Sequence, residues 1–371
     1  MIDNAVGWLR DFHVDALRLD AVHALHDDRA LPLLEELSAR VDALSAEVGR
    51  PLWLVAESDR NDPGTVTPRP EGGLGLHAQW ADDVHHGLHV ALTGETTGYY
   101  ADFAAPDALT TVLTGGFLHT GTWSTFRGRT HGRPLDRSRT PGWRFVVSLQ
   151  THDQVGNRAT GDRLSATLDP GTLACGAALL LTGPGTPMLF MGEEWGATTP
   201  WQYFTDHPDP ELAEAVRRGR RREFADHGWA PEDVPDPQDA VTVERSRLDW
   251  DETGHEPHTR LLAWYRDLVR LRHDVPDLRD ARLDWVVVHH DPDARTVVVE
   301  RGAHRVVANL ADAPATVAVS ADDGADLAVV LAWDGVTVDG RDVTVPARSA
   351  ALLRAPGTPS TGSASGPPAR G

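Results

Sequence analysis

Five short apolar runs occur between residues 1 and 200, and each is followed by polar or charged residues. Stretches with helical periodicity separate the runs from one another. The runs are DALRLDA, PLWLVAES, LHAQW, WRFVVSLQTHD and PGTPMLFMGEEWG. Buried strands that alternate with helices are typical of βα units, because a connection between parallel strands needs enough chain for a helix to cross back. The pattern therefore predicts an α/β fold with five parallel strands.

The pattern changes at residue 284, where helical periodicity gives way to β-rich runs separated by Asp, Gly and Pro turns. These runs are LDWVVVHH, TVVVERG, HRVVANLA, TVAVS, LAVVLAW and VTVPARSAALLRA. Several short strands with regular turn signals indicate an all-β sandwich, which we place at residues 284–355. Residues 356–371 are low in complexity, and we expect a disordered tail there.

The composition excludes several classes of partner. The formal net charge is −20, and all 35 basic residues are arginines. An acidic chain of this kind has little attraction for nucleic acid or for an anionic membrane surface, so we expect neither as a partner. The basic run RRGRRREF is flanked by acidic residues and is interpreted as a solvated helix face. One cysteine, Cys175, leaves no disulfide within the chain, and no apolar stretch has the length of a membrane span, so we expect a cytoplasmic protein.

Charged residues follow three of the five predicted strands. Arg18 and Asp20 end the first run, Glu57 ends the second, and His152 and Asp153 end the fourth. In a barrel of parallel strands, residues at the carboxyl ends face one shared pocket. Cleavage of a glycosidic bond requires two carboxylates on either side of the bond, one as nucleophile and one as proton donor. The alternative is that each residue is merely solvated or ion-paired at a strand end.

The spacing of Arg18 and Asp20 adds to this hypothesis. Side chains two residues apart on a strand lie on the same face, so the two side chains are neighbours. An adjacent guanidinium favours the ionised form of a carboxylate and can hold it in one orientation. The spacing therefore predicts that Arg18 aims Asp20 as a nucleophile.

Three short segments, DALRLDAVH, LVAES and THDQVGNR, resemble catalytic regions of the α-amylase family of glycoside hydrolases. The resemblance implies a retaining hydrolase with Asp20 as the nucleophile, Glu57 as the general acid and base, and Asp153 as a third carboxylate that stabilises the transition state. It also implies a set of polar residues that bind the substrate. These are Arg18, His23, His152, Gln154 and Asn157, with Asp82, Asp83 and His85 from a separate stretch.

Longer segments resemble one group within that family, the malto-oligosyltrehalose trehalohydrolases. They are GGLGLHAQWADDVHHGLHVALTGETTGYYADF, LQTHDQVGNRATGDRL, MLFMGEEWGATTPWQYFTDH and AVRRGRRREF. Members hydrolyse the α-1,4 bond next to the trehalose end of a maltooligosyl chain, so the implied substrate is maltooligosyltrehalose and the implied product is trehalose. The implied fold is a partial (β/α)8 (TIM) barrel, roughly strands 4 to 8, over residues 1–283, followed by the β-sandwich.

Parts of the family pattern have no counterpart in this sequence. The first catalytic region, the first barrel strands and an N-terminal β-domain are not found, so we expect the chain alone to be poorly stable and weakly active. Ala16 stands where the family has Gly, and Ala81 and Thr151 each stand where it has Asn. The lost amides lie near the sugar-binding face, so we expect an effect on substrate binding rather than on the chemistry.

Several alternatives stay open. The chain could derive from another α-amylase-family enzyme, such as a glucan hydrolase or a branching enzyme, or it could be an inactive remnant. His85 and His89 have the i, i+4 spacing of helical zinc ligands, but no third ligand is apparent, and we expect neither a metal nor a cofactor. Glu193 and Glu194 follow the last strand, where a substrate contact and a structural role both fit. The sequence does not determine the oligomeric state.

Overall fold

The computed structural model describes residues 1–226, 230, 233–320 and 327–355. The predicted disordered tail, residues 356–371, lies outside the described residues. The helices within these ranges are α1 (Ile2–Arg10), α2 (Leu33–Val48), α3 (Asp82–Thr93), α4 (Ala108–Gly115), α5 (His152–Gly156), α6 (Pro170–Thr182), α7 (Pro210–Asp226), α8 (Ala240–Arg245), α9 (His258–Asp274) and α10 (Pro276–Arg279). In the part of the chain that the structure describes, no helix combines the length and apolarity needed to cross a membrane.

The first part of the chain contains a parallel sheet and a separate hairpin. Its strands are β1 (Ala16–Leu19), β2 (Trp53–Ala56), β3 (Ala78–Trp80), β4 (Thr122–Ser124), β5 (Arg129–His131), β6 (Phe145–Val147) and β7 (Thr186–Pro187). The sheet has the order β1-β2-β3-β6-β7, and every neighbouring pair in it is parallel. The five apolar runs are therefore confirmed as five parallel strands. The antiparallel pair β4–β5 belongs to the loop between α4 and β6.

The N-terminus of α2 differs from the sequence-based expectation. The acidic pair before the helix suggests Asp28 as its cap, but the helix begins only at Leu33, after Pro32. A proline disfavours helical backbone in the residue before it, so Leu31 cannot continue a helix from Asp28. The Asp27 carboxylate takes the capping role instead, since it accepts a hydrogen bond from the Leu33 amide at 2.5 Å.

The C-terminal part is β-rich, and its two antiparallel sheets are together called the sandwich. Its strands are β8 (Val286–Asp291), β9 (Thr296–Arg301), β10 (His304–Asn309), β11 (Ala315–Ala318), β12 (Ala328–Ala332), β13 (Thr337–Asp339), β14 (Asp342–Val345) and β15 (Ser349–Arg354). One sheet has the order β12-β15-β10-β9-β8 and the other the order β11-β14-β13. Two details differ from the expectation. The short strand β13 has no apolar run of its own, and the last predicted run is divided between β14 and β15.

Helix α6 lies where the two parts meet. All but the first of its residues are buried, and it packs against α9 as well as against β10 and β15 of the sandwich. Such a helix is apolar on every side because it has no solvent-facing side. Cys175 lies in this helix as a buried free thiol. The indole of Trp264 on α9 donates a hydrogen bond to the carbonyl oxygen of Ala174 at 3.0 Å. The α/β part and the sandwich therefore share one apolar core.

Candidate active site

The carboxyl ends of β1 and β2 hold Asp20 and Glu57 side by side. Leu19 and Ala56 are partners at the ends of the two strands. The ladder continues past them, because the Glu57 amide donates to the Leu19 carbonyl at 2.9 Å and the Val22 amide donates to the Glu57 carbonyl at 3.0 Å. Residues that directly follow neighbouring parallel strands emerge at the same edge of the sheet.

Arg18 lies among the three carboxylates that the sequence singles out. Its guanidinium nitrogens lie 2.9 Å from Asp20 Oδ1, 3.2 Å from Glu57 Oε1 and 3.9 Å from Asp153 Oδ2. The guanidinium carbon lies 5.1 Å from the ring centroid of Trp80, at the end of β3. Residues that follow three different strands thus surround one cation. Charge pairing with Arg18 offsets the repulsion between the carboxylates.

The backbone amide of Ala21 holds the carboxylate of Glu57 in place. This amide donates a hydrogen bond to Glu57 Oε2 at 2.5 Å. Ala21 has φ 44° and ψ 44°, which is the left-handed region that a residue with a Cβ rarely occupies. The strained backbone turns the amide of the residue after Asp20 towards Glu57, and backbone strain of this kind clusters at functional sites. An alanine gives no sequence signal for this conformation, so sequence reasoning missed it.

The three carboxylates differ in their exposure to solvent. The side chain of Asp20 is 82% exposed, that of Asp153 is 47% exposed and that of Glu57 is 21% exposed. Asp20 is therefore open to a substrate, while Glu57 is enclosed and held by a hydrogen bond. This difference suits an open nucleophile beside a sheltered proton donor.

The short helix α5 presents Asp153, and Thr151 forms its N-cap. The Thr151 hydroxyl accepts a hydrogen bond from the Asp153 amide at 3.2 Å and donates one to the side-chain oxygen of Gln154. His152 Nε2 lies 3.3 Å from Asp153 Oδ1. Asn157 forms the C-cap, and its backbone amide nitrogen lies 2.8 Å from the Asp153 carbonyl oxygen. All four predicted polar residues of this segment thus lie on or beside one helical turn.

Asp82 adds a fourth carboxyl group near the same pocket. It is the first residue of α3 and comes two positions after Trp80, whose ring faces Arg18. Burial raises the pKa of Asp82 to about 7, and the negative charges of Asp83, Glu57 and Asp153 act in the same direction. Asp82 therefore carries its proton over much of the range in which an ordinary aspartate is ionised.

Comparisons with known proteins agree with the resemblance seen in the sequence. The chain is 53% identical over 354 residues to the malto-oligosyltrehalose trehalohydrolase of Rhizobium sp. (strain M-11), with 95% of this chain and 59% of that protein covered. It is 63% identical over 276 residues to the trehalohydrolase of Arthrobacter ramosus, with 74% and 48% covered. The resemblance to the malto-oligosyltrehalose trehalohydrolases is therefore confirmed over 95% of this chain. The chain spans about three fifths or less of the length of these relatives. No family model matches the chain.

Solved structures show the same relationship at the level of the fold. A crystal structure from Salmonella typhimurium, described as a "putative alpha Amylase", superimposes with a TM-score of 0.81 at 34% identity. The match covers 95% of this chain and 59% of that one. The α-amylase from H. orenii superimposes with a TM-score of 0.56 at 16% identity, which is a likeness of fold alone. The chain thus shares its mixed helix and sheet, followed by a C-terminal β-rich region, with part of these structures.

Two of the three departures from the trehalohydrolase pattern occupy helix caps. Thr151 is buried and caps α5 with its hydroxyl, which is a role that Asn also fills. Ala81 is the N-cap residue of α3 and provides no side-chain hydrogen bond there. The third departure, Ala16, begins β1. The predicted effect of Ala81 and Thr151 on substrate binding stays a prediction.

Two of the predicted substrate-binding residues are buried and hydrogen-bonded to the protein itself. Asp83 is buried, and its Oδ2 accepts hydrogen bonds from the side chain of Asn61 and from the amide of Leu118, each at 2.7 Å. His85 is also buried, with Nδ1 2.6 Å from the carbonyl oxygen of Leu149 and Nε2 3.1 Å from the hydroxyl of Tyr100. Burial lowers the pKa of His85 well below its usual value, so its ring is neutral.

The histidine pair on α3 has partners other than a metal. His89 Nε2 lies 2.9 Å from the Glu95 carboxylate, and its ring stacks on Tyr100 with the centroids 4.2 Å apart. The polar atoms of His85 already have protein partners. Among the residues that the structure describes, no group of three or more His, Cys, Asp or Glu side chains is arranged to hold a metal ion.

One edge of the site includes residues that sequence reasoning did not single out. His23 Nδ1 lies 3.7 Å from Asp59 Oδ1, two residues beyond Glu57. Asp59 Oδ2 lies 3.4 Å from the guanidinium of Arg127, and the Asp59 carbonyl oxygen lies 2.7 Å from His131 Nε2. The last two residues belong to the β4–β5 hairpin, which is distant in sequence. Only the fold brings this hairpin to the loops that follow β1 and β2.

Proposed function

We propose that this chain carries the catalytic carboxylates of a retaining glycoside hydrolase that releases trehalose from maltooligosyltrehalose. The observation that carries the proposal is the pairing of one guanidinium, Arg18, with both Asp20 and Glu57. The trehalohydrolases of Rhizobium and Arthrobacter support the choice of substrate. Asp153, close to the same guanidinium, supplies the third carboxylate.

The proposed reaction has two steps. Asp20 attacks the anomeric carbon of the sugar, the bond from that carbon to the glycosidic oxygen breaks, and Glu57 gives its proton to the departing oxygen of trehalose. Water then attacks the anomeric carbon of the glucosyl ester, Glu57 takes the proton from this water, and Asp20 leaves as a carboxylate. Two inversions at one carbon give net retention.

The remaining residues of the site have proposed roles in binding. Asp153 and the protonated Asp82 form hydrogen bonds with hydroxyl groups of the sugar that undergoes attack. His23, His152, Gln154 and Asn157 lie on the loops after β1 and β6 and contact neighbouring hydroxyls. Asp83 and His85 are proposed to support the site without contacting the sugar, because both are buried and bonded to the protein. Their partners are Asn61 and Leu118 for Asp83, and Leu149 and Tyr100 for His85.

The five parallel strands are proposed to be strands 4 to 8 of a (β/α)8 barrel that occupies residues 1–283, with the sandwich at 284–355 as a second domain. The sequential order β1-β2-β3-β6-β7 and the intervening helices support this arrangement. β1 is an edge strand of this sheet, and beside it α1 exposes 47% of Trp8, while Phe12, just after the helix, is 67% exposed. An open edge and exposed aromatic side chains are what a partial barrel leaves uncovered.

The test is release of trehalose from maltooligosyltrehalose, measured for this chain and for a version extended to the full length of the relatives. Asp20→Asn and Glu57→Gln are expected to reduce release by at least about 10³-fold in whichever version is active, because each removes a group that reacts. Asp11→Asn and Glu71→Gln are the controls, since both carboxylates form exposed ion pairs with Arg10 and Arg139.

The outcomes separate the alternatives. Trehalose release that depends on both carboxylates supports the proposal. Equal cleavage of plain maltooligosaccharides would favour another α-amylase-family enzyme and reject the trehalose assignment. Inactivity of both versions on both substrates would leave the carboxylates as inherited residues of an inactive remnant.

A further inference from the structure

Glu193 is a buried carboxyl group with no described basic side chain in hydrogen-bond contact. It follows β7, and its side chain is enclosed by protein. Glu193 Oε1 accepts a hydrogen bond from the hydroxyl of Tyr265 on α9 at 3.1 Å, and Oε2 accepts one from the Phe190 amide at 3.3 Å. The side chain of Gln150 also lies close to this carboxyl group. Burial raises the pKa of Glu193 to about 8, which keeps the group protonated at neutral pH.

Gln150 connects Glu193 to the segment that carries Asp153. Gln150 is buried, and its side-chain oxygen accepts a hydrogen bond from the Leu164 amide at 2.8 Å. The next residue in the chain is Thr151, whose hydroxyl caps α5 through the Asp153 amide. We therefore expect a displacement of Gln150 to move the cap and the first turn of α5.

A second contact joins the same two loops. Arg163 is buried; its Nε donates a hydrogen bond to the carbonyl oxygen of Thr199 at 2.6 Å, and a terminal nitrogen donates one to that of Met191 at 2.7 Å. Arg163 thus holds both ends of the loop 190–199. Glu193 lies within this loop, and its side chain is close to Gln150. The loop after β7 is a fixed support for the loop after β6.

We propose that Glu193 is a positioning residue for Asp153, and that it acts through Gln150 and the cap of α5. The expected effect on kcat/KM rests on the proposed function, whereas the expected effect on the order of α5 does not. Glu193 touches no sugar and moves no proton in the reaction. Its neutral acid group can be replaced by an amide of the same shape, because the hydroxyl of Tyr265 can accept a hydrogen bond as well as donate one.

The test compares Glu193→Gln, Glu193→Ala and Leu268→Ala. Leu268 is buried on α9, the helix that carries Tyr265, so its truncation is the matched control for a general loss of packing. Two quantities are measured in each variant: amide hydrogen exchange of residues 151–157, and kcat and KM for trehalose release by the active version of the protein. Hydrogen exchange needs no substrate, so a failure of the proposed function would not hide the structural result.

Glu193→Ala is expected to increase exchange in residues 151–157 at least about tenfold, while Leu268→Ala leaves these residues close to the wild type. Misplacement of Asp153 by about 1 Å should lower kcat/KM about 10²-fold in Glu193→Ala, with Glu193→Gln within about threefold of the wild type. Equal exchange in the two alanine variants would overturn the proposal, as would a glutamine variant as impaired as the alanine variant. Inactivity of every version, with the exchange pattern as expected, would reject the proposed function and keep Glu193 as the support of α5.

Discussion

The backbone amide of Ala21 donates a hydrogen bond to the carboxylate of Glu57, across the carboxyl ends of two neighbouring strands. Ala21 directly follows Asp20, so the proposed nucleophile and the proposed proton donor are joined through a single residue. The left-handed backbone of Ala21 is what directs the amide to Glu57. The main chain thus holds the Glu57 carboxylate, while the Arg18 side chain pairs with Asp20.

The conformation of Ala21 predicts opposite effects for two substitutions. Ala21→Gly removes the clash of the Cβ and keeps the amide, so we expect a free energy of unfolding equal to that of the wild type or up to about 1 kcal/mol higher. Ala21→Val places a β-branched residue in the left-handed region and should cost about 1–3 kcal/mol. Urea denaturation measures both, and a valine variant as stable as the glycine variant would contradict the strain.

The substitution Arg18→Lys tests whether residue 18 must pair with two carboxylates at once. Arg18→Lys keeps a positive charge but replaces a planar fork by a single point charge, which cannot pair with Asp20 and Glu57 in the same geometry. We expect kcat/KM of the active enzyme to fall about 10²-fold or more. Arg10→Lys, which changes an exposed pair with Asp11, is the matched control and should leave activity unchanged. Full activity of the Arg18→Lys enzyme would show that charge alone suffices.

Asp82 predicts a dependence of stability on pH. An aspartate in the unfolded chain ionises near pH 4, whereas the pKa of Asp82 in the folded chain is about 7. Between these values the folded chain binds the extra proton, so its stability decreases as the pH rises from about 4 to about 7. Asp82→Asn should remove this decrease. Relative to the wild type, the variant should gain on the order of 3 kcal/mol between the two ends of that window.

The measurement for Asp82 is urea denaturation at several pH values, with Asp3→Asn as the control because Asp3 is exposed at the start of α1. A constant difference between Asp82→Asn and the wild type at every pH would show that the pKa of Asp82 is the same in the folded and the unfolded chain.

The N-cap of α5 predicts different effects for two substitutions of Thr151. Thr151→Ala removes the acceptor for the Asp153 amide and should cost about 1 kcal/mol, whereas Thr151→Asn supplies another acceptor and should cost little. If the cap matters for Asp153, kcat/KM should fall more in the alanine variant than in the asparagine variant. Thr114→Ala on α4 is the control, since the Thr114 hydroxyl bonds only within its own helix. Similar losses in both Thr151 variants would mean that the hydroxyl itself is required.

The strands of the parallel sheet could be predicted from the sequence because each is a short apolar run with polar residues after it. The carboxyl-end residues Arg18, Asp20, Glu57 and Asp153 could be proposed as neighbours for the same reason, since parallel strands end at one edge. The catalytic role of each carboxylate came from the resemblance to known segments, because apolar periodicity and spacing do not indicate which reaction a site performs.

Other features depend on contacts between distant parts of the chain. The inward direction of Asp83 depends on Asn61 and Leu118, and neither lies in the apolar pattern. Helix α2 begins at Leu33, several residues after Asp28, because Pro32 precedes it, and the Leu33 amide is bonded to Asp27. Strand β13 forms only because β14 is beside it, and a run of three residues has no periodicity of its own to detect.

Helix α6 has a consequence for how the molecule comes apart. It contributes apolar side chains to the α/β part and to the sandwich at once, so separation of the two would leave a helix without a polar face in water. The boundary near residue 283 is therefore not a hinge, and the sandwich is not an appendage that can be exchanged or removed. The two parts should melt as one cooperative unit, and a chain cut at this boundary should aggregate rather than retain a folded half.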